Sequence, residues 1–232
     1  MSYTYQDFLA YFGVGGAHPG GMSFTKELLK HIPITRDSHV LDAGCGTGQT
    51  AAFLQKDFGC SVTAIDQHPI MIEKACQRFK EGNLNIEIRE ENIEGTSLPS
   101  NTFDIIIAES VTIFTNIQKV VKEYARLLKD DGIVLAHEMT AKQVLSQQEM
   151  DVLQDIYAIS RVPTKEEWIQ LFKDAGFLNV ESIMAKNIND TPEFMLSNTI
   201  DPALYDIWDQ HQLVTEKYAD RLQYYVYRVQ KS

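Results

Sequence analysis

The segment His39-Val40-Leu41-Asp42-Ala43-Gly44-Cys45-Gly46-Thr47-Gly48-Gln49-Thr50 constrains the fold of this chain more than any other. Val40 and Leu41 read as the end of a buried strand. Three glycines at alternate positions then force a tight loop, and Thr50 to Leu54 opens a helix. Glycine turns this sharply and leaves room for a ligand against bare backbone. Asp42 ends the strand and places a carboxylate beside the loop. That charge would repel a pyrophosphate and could hold an ammonium group, which moves the reading from a dinucleotide toward an amino-acid-bearing nucleoside.

A strand–GxGxG–helix unit by itself is shared with NAD and FAD domains. Val62-Thr63-Ala64-Ile65-Asp66 adds a second apolar strand ending in an acid, about 20 residues on, where a carboxylate accepts hydrogen bonds from a ribose diol. This order of acid, glycine loop and second acid resembles the class I S-adenosylmethionine-dependent methyltransferases. Residues 40 to 48 match their first motif, (V/L)LDxGxGxG, and the resemblance runs from about Leu29 to Phe177. Leu98-Pro99, Phe103-Asp104 and Leu127-Leu128-Lys129-Asp130-Asp131-Gly132 keep further phrases of the family, the last without its proline.

The resemblance implies S-adenosyl-L-methionine as cofactor and assigns its contacts. Asp42, Gly44 and Gly46 would hold the methionine part, with Cys45 in the same loop. Asp66, followed by Gln67, would hold the ribose, and Asn92 with Ile93 the adenine. Asn92 stands where relatives commonly carry Asp, and its amide oxygen accepts less strongly than a carboxylate. Met71 is either an apolar contact to the adenosine or a core methionine. Glu109, at the edge of the fourth strand, is either near the methionine end or a solvated strand end.

The chain in order alternates strands and helices, which means a mainly parallel, doubly wound α/β sheet. Expected strands are 38–43, 61–65, 84–89, 103–108, 133–138 and 180–186, with Leu222 to Val229 as an antiparallel seventh. Expected helices follow them at 49–58, from Pro69 through Phe79, 117–128, 147–160 and 165–175; the last two begin at capping boxes, Ser146 with Glu149 and Thr164 with Glu167. Before the first strand, Ser23 is expected to cap a helix through Ile32.

The whole chain, 1–232, reads as one domain. Residues 1–32 read as a cap or gate, combining an aromatic helix from Tyr3 to Phe12 with the glycine-rich loop Gly13–Gly21. Residues 190–219, with helix starts at Thr191-Pro192 and Asp201-Pro202, read as a two-helix insertion. That insertion is a lid, a dimer surface or packing, and oligomeric state stays open.

The formal net charge of −11 argues against binding nucleic acid through phosphates. No segment reads as a signal peptide or approaches transmembrane length, so a cytoplasmic protein with no membrane partner is expected. Three cysteines, Cys45, Cys60 and Cys76, have no CxxC spacing; they read as buried apolar residues rather than disulfides or a zinc site. The histidines show no ligand spacing, so no metal is expected.

Methyl transfer from a sulfonium needs mainly orientation and desolvation from the protein. A base is required only if the acceptor must lose a proton. His18 in the glycine-rich loop, and His137 or Glu138 at the end of the fifth strand, are the candidates. For His18 a loop histidine held by hydrogen bonds is an equal reading. The expected function is methyl transfer to a small-molecule acceptor, resembling the quinone and sterol C-methyltransferases. No Asn/Asp-Pro-Pro-Tyr follows the fourth strand, which argues against methylation of DNA adenine or protein glutamine. An NAD-dependent oxidoreductase is the alternative, although its GxGxxG loop would place glycine where Gln49 stands. A non-catalytic S-adenosylmethionine-binding protein is another.

Overall fold

The computed structural model describes residues 3–185 and 192–232. In chain order the elements are α1 (Tyr5–Phe12), β1 (Val14–Gly15), α2 (Gly21–Leu29), β2 (His39–Ala43), α3 (Gln49–Phe58), β3 (Ser61–Asp66), α4 (Pro69–Glu81), β4 (Glu87–Glu90) and β5 (Phe103–Glu109). A 3-10 turn (Thr112–Phe114) leads to α5 (Ile117–Leu127), β6 (Leu128–Ala141), α6 (Gln147–Tyr157), α7 (Lys165–Asp174), β7 (Asn179–Met184), β8 (Glu193–Phe194), α8 (Ala203–Lys217) and β9 (Leu222–Gln230).

Seven strands form one sheet in the order β4-β3-β2-β5-β6-β9-β7. The first five are parallel, and β9 runs antiparallel between β6 and β7. The chain steps outward from β2 through β3 to β4, then returns to the other side of β2 as β5. That reversal opens a crevice at the carboxyl end of β2, the place where ligands enter open α/β sheets.

The centres of strands β2, β3 and β5 are buried because helices cover both faces of the sheet. One face packs under Leu29, Leu54 and Phe79 of α2, α3 and α4. The other packs under Tyr124, Trp168 and Phe172 of α5 and α7. The indole N–H of buried Trp168 donates to the Met139 carbonyl at 3.1 Å, so its burial leaves no polar group unpaired. Both expected capping boxes form, and Thr4 with Asp7 makes a third at the start of α1.

Several boundaries differ from the sequence reading. Helix α2 begins at Gly21 behind a left-handed Gly20, so Ser23 lies inside it rather than capping it. Helix α6 stops at Tyr157 because Ala158 turns left-handed. Strand β4 covers only Glu87–Glu90. Strand β6 starts at Leu128, and the Asp130-Asp131-Gly132 turn is absorbed into it at a register irregularity against β5. Cys76 is exposed, whereas Cys45 and Cys60 are buried.

The 190–219 insertion contains one helix, α8, among its described residues; Thr191 and the start of the insertion lie outside them. In place of a helix after Pro192, Glu193 and Phe194 pair antiparallel with Gly15 and Val14. The glycine-rich loop therefore supplies one strand of a two-stranded ribbon. Helix α8 packs on α1 through aromatic rings: Trp208 meets Phe8 at 5.3 Å and Phe194 at 6.1 Å, and Tyr205 meets Phe12 at 5.2 Å. Among the described residues, no helix is long and apolar enough to cross a membrane.

Candidate active site

The carboxyl edge of the sheet and the overlying α1, ribbon and α8 enclose a cavity of about 1510 Å³. That exceeds the roughly 300–1,000 Å³ of a typical single-ligand pocket. One end is built by the glycine loop. The N–H groups of Gly44 and Cys45 both donate to the Ile65 carbonyl, at 2.9 and 2.8 Å, which pins the loop to β3. Gly44 has φ +73°, and a Cβ there would collide with Val111. Gly46, at φ +52°, has open space where a Cβ would stand. The chain thus keeps a bare backbone facing the cavity at Gly46, in the left-handed region that glycine alone enters without strain.

Three carboxylates converge on this end. Asp42 accepts from the Ala51 N–H at 3.0 Å, in the first turn of α3, where the helix dipole favours a negative group. Burial, and then the charge of Glu109, push its carboxyl well above the usual range. Asp66 accepts from the N–H groups of Gly46 and His68, each at 2.9 Å. Burial still raises it, against the pull of those two donors. Glu109 accepts from the hydroxyls of Thr25 and of Thr50, the latter at 2.6 Å, and lies 3.3 Å from Nε2 of His18. Among the described residues, no lysine or arginine pairs with any of the three. An acidic end whose carboxylates have no lysine or arginine partner, beside bare backbone, fits a ligand that brings its own positive charge.

Cys45, Gln67, Met71 and Ile93 also line the cavity. Burial pushes the Cys45 thiol well up, which leaves it an apolar wall rather than a nucleophile. Asn92 corrects the sequence reading. It is exposed and does not line the cavity. Its Oδ1 accepts from the Glu94 N–H at 2.8 Å, within its own turn. Glu91, one residue earlier, lines the cavity instead.

Of the three candidate bases, only His18 reaches the cavity. Its Nε2 is also 3.2 Å from the Thr25 hydroxyl. His137 and Glu138 do not line it, because β6 lies between β5 and β9 with both of its faces covered. His137 is sealed beneath the rings of His18 and Phe24, each at 5.1 Å, and neither ring nitrogen has a partner. Burial, and then His18, hold it well below the ordinary histidine range. Glu138 points to the other face and accepts from the N–H groups of Thr112 and Ile113, at 2.9 and 3.2 Å. Burial raises its carboxyl to about 7. It anchors the 3-10 turn and is not placed as an acid or base toward a ligand.

The sequence reading missed residues that only tertiary structure brings in. Arg78 of α4 donates to the Thr47 carbonyl at 2.7 Å and to Glu193 at 3.0 Å, tying the glycine loop to the ribbon. Lys74, buried, donates to the carbonyls of Tyr11 at 3.3 Å and of Met195, and burial lowers its ammonium. Ser110, at φ +56°, holds a strained backbone where β5 meets the cavity. The far end of the cavity is aromatic and includes Tyr5, Phe114, Tyr157, Trp208, His211 and Tyr224. No helical period marks these as a set, because they come from five separate stretches.

Residues 40–132 match the model of a family described as a methyltransferase domain. A methyltransferase of Bacillus subtilis (strain 168), YodH, is 35% identical over 220 residues, covering 93% of this chain and 94% of that protein. The chain belongs to the class I S-adenosylmethionine-dependent methyltransferases. The ubiquinone/menaquinone biosynthesis C-methyltransferase UbiE of Zymomonas mobilis is 30% identical to this methyltransferase over 191 residues, covering 72% of this chain and 77% of that one. In fold, it is similar to a Haemonchus contortus phosphoethanolamine N-methyltransferase in complex with phosphomonomethylethanolamine and S-adenosylhomocysteine. The TM-score is 0.75 at 19% identity, covering 99% of this chain and 58% of that one. It is also similar to a Streptomyces coelicolor geranyl diphosphate C-methyltransferase, with a TM-score of 0.73 at 14% identity, covering 96% and 91%. The methyltransferase assignment sets aside the nicotinamide reading of the glycine loop. S-adenosylmethionine is the cofactor of this family, and the acidic end of the cavity, with its open space at Gly46, fits that cation.

Proposed function

We propose that this methyltransferase methylates a small, partly apolar acceptor held in the same cavity as the cofactor. The observation that carries the reading is the two-ended cavity: one acidic, glycine-lined end and one aromatic end, in a volume larger than a single ligand needs. S-adenosylmethionine, when bound, supplies a methyl group already activated by its sulfonium, open to in-line displacement by an acceptor atom.

The chain's own residues then have three tasks. Glu109, Asp42 and the loop at Gly44 and Gly46 would hold the amino-acid end, Asp66 the ribose, and Met71 and Ile93 the adenine. Helices α1 and α8, with the ribbon, would act as the gate that excludes water, which strengthens every electrostatic contact inside. His18, fixed by Glu109 and Thr25, would stand at the boundary between the two ends. Free, unpaired Cys45 and Cys60 fit a reducing compartment, in support of a cytoplasmic location.

Calorimetric titration with S-adenosylmethionine and S-adenosylhomocysteine, with NADH as control, tests the reading. Micromolar binding of the sulfur compounds is expected, weakened about tenfold in Asp66→Ala by the lost ribose hydrogen bonds. Absence of binding by the wild type would refute it. Tight binding without turnover on any acceptor of a broad screen would favour a non-catalytic binding protein.

A further inference from the structure

At the aromatic end of the cavity, two polar side chains from distant parts of the chain meet. The Tyr157 hydroxyl, at the last residue of α6, lies 2.8 Å from Nδ1 of His211 on α8. Thr215, one turn further along α8, stands within reach of the same hydroxyl. Both partners line the cavity. Their neighbours are rings: Tyr5 meets Tyr157 edge-on at 4.9 Å, lies 5.1 Å from His211, and stacks on Phe114 at 6.0 Å. A hydrogen bond walled by rings is shielded from much of the solvent, and a polar group presented there is worth more than in open water.

The charge of this end is equally informative. Among the described residues, two lysines and no arginine line the whole cavity. Lys142 turns its ammonium toward the Ala219 carbonyl at 3.5 Å, and Lys26 lies 5.5 Å over the Phe53 ring. Neither is placed to receive a phosphate, which takes arginine forks or unengaged ammonium groups. Of the lining carboxylates, Asp42, Asp66 and Glu109 belong to the opposite end, Glu91 follows β4, and Glu193 is paired with Arg78. What remains is an aromatic box with a hydroxyl–imidazole pair in its wall.

We propose that Tyr157 and His211 form the acceptor subsite and hold the hydroxyl of a neutral phenol, whose ring stacks among Tyr5, Phe114 and Trp208. This inference rests on the methyltransferase reading of the same cavity. The pair moves one proton: the acceptor O–H gives its proton to Oη of Tyr157 as the Tyr157 proton passes to Nδ1 of His211. Tyr157 ends as it began, His211 becomes an imidazolium, and the acceptor is left as a phenolate with its electron pair free to attack. His211 is partly exposed and returns the proton to water. Burial holds Tyr157 above and His211 below their ordinary values, so one starts protonated and the other starts neutral.

Full-length protein loaded with S-adenosylhomocysteine would be titrated calorimetrically with 4-methylphenol, 4-methylanisole and 4-methylphenyl phosphate. The wild type should bind the phenol about tenfold more tightly than the anisole, the worth of one shielded hydrogen bond. Tyr157→Phe and His211→Gln should each abolish that preference while S-adenosylhomocysteine affinity stays unchanged. Equal binding of phenol and anisole by the wild type would overturn the proposal, whatever the variants do. So would variants that keep the preference, or tighter binding of the phosphate than of the phenol. Failure of the wild type to bind S-adenosylhomocysteine is a separate result, and it would overturn the methyltransferase reading and this inference together.

Discussion

Glu138 gives the most quantitative handle on the structure. It is fully buried, and burial carries its carboxyl from 4.5 to about 7 despite two backbone donors. Between pH 4.5 and 7 the folded protein keeps a proton that the unfolded chain has released. Stability from this group is therefore complete below pH 4.5, falls as pH rises through that window, and is lost above 7. The loss amounts to roughly 3 kcal/mol. Glu138→Gln removes the ionisation and keeps the shape. Its single carbonyl oxygen serves one of the Thr112 and Ile113 N–H groups and leaves the other unmet, at a cost of about 1–2 kcal/mol. The variant should therefore be more stable than wild type by about 1–2 kcal/mol at pH 8, and less stable by a similar amount at pH 4.5. For a chain of this size that corresponds to a Tm gain of roughly 3–6 °C at pH 8. Scanning calorimetry at the two pH values reads both signs. A Glu138→Gln protein less stable at pH 8 as well as at pH 4.5 would show that Glu138 is ionised and net stabilising, and would refute the reasoning.

Two further outcomes follow from buried geometry. Gly46→Ala places a methyl group into open space at a positive φ, costing the fold only about 1 kcal/mol, yet it should weaken S-adenosylhomocysteine binding at least tenfold in calorimetry; unchanged affinity would mean that the loop does not border the cofactor. His137, held well below 6.5 by burial, should still be neutral at pH 6.5, where a free imidazole is half protonated, when it is followed by nitrogen-resolved NMR. It contributes stability that is present above 6.5 and lost as pH falls toward its folded value, so His137→Phe should flatten the acid limb of the stability profile; a titration midpoint near 6.5 would contradict its burial.

What could be read from the chain was what is local. Asp42, the glycine loop and Asp66 are fixed by a strand end, a turn and a second strand end, each encoded within a few residues. Their place at one end of the cavity follows from φ angles and strand ends that the residue types impose. His137 and Glu138 show where local reasoning stops. Strand alternation says that they face opposite ways, but only the sheet order, with β9 inserted beside β6, shows that both faces are covered. Asn92 failed for a different reason: a side chain two residues before a backbone N–H can fold back on it, and nothing in the residue type says whether it will. Tyr157 and His211 were invisible because neither stands in a motif, and they lie 54 positions apart, with α7, β7, the ribbon strand and half of α8 among the intervening elements.

The ribbon over the site joins Val14 to Phe194, near opposite ends of the sequence. As the chain emerges during synthesis, the five parallel strands and the glycine loop are all available before the second half of that ribbon exists. The cover is thus a late, long-range contact whose closure is slow relative to local structure. Its release breaks the two-residue pairing, the Arg78–Glu193 ion pair and the bonds of Met195 to Gly13 and Lys74, and leaves every strand of the main sheet intact. Opening is then a sub-global event, separate from unfolding of the core. The same segregation lets the rim of the pocket change residues without disturbing the sheet that positions the cofactor.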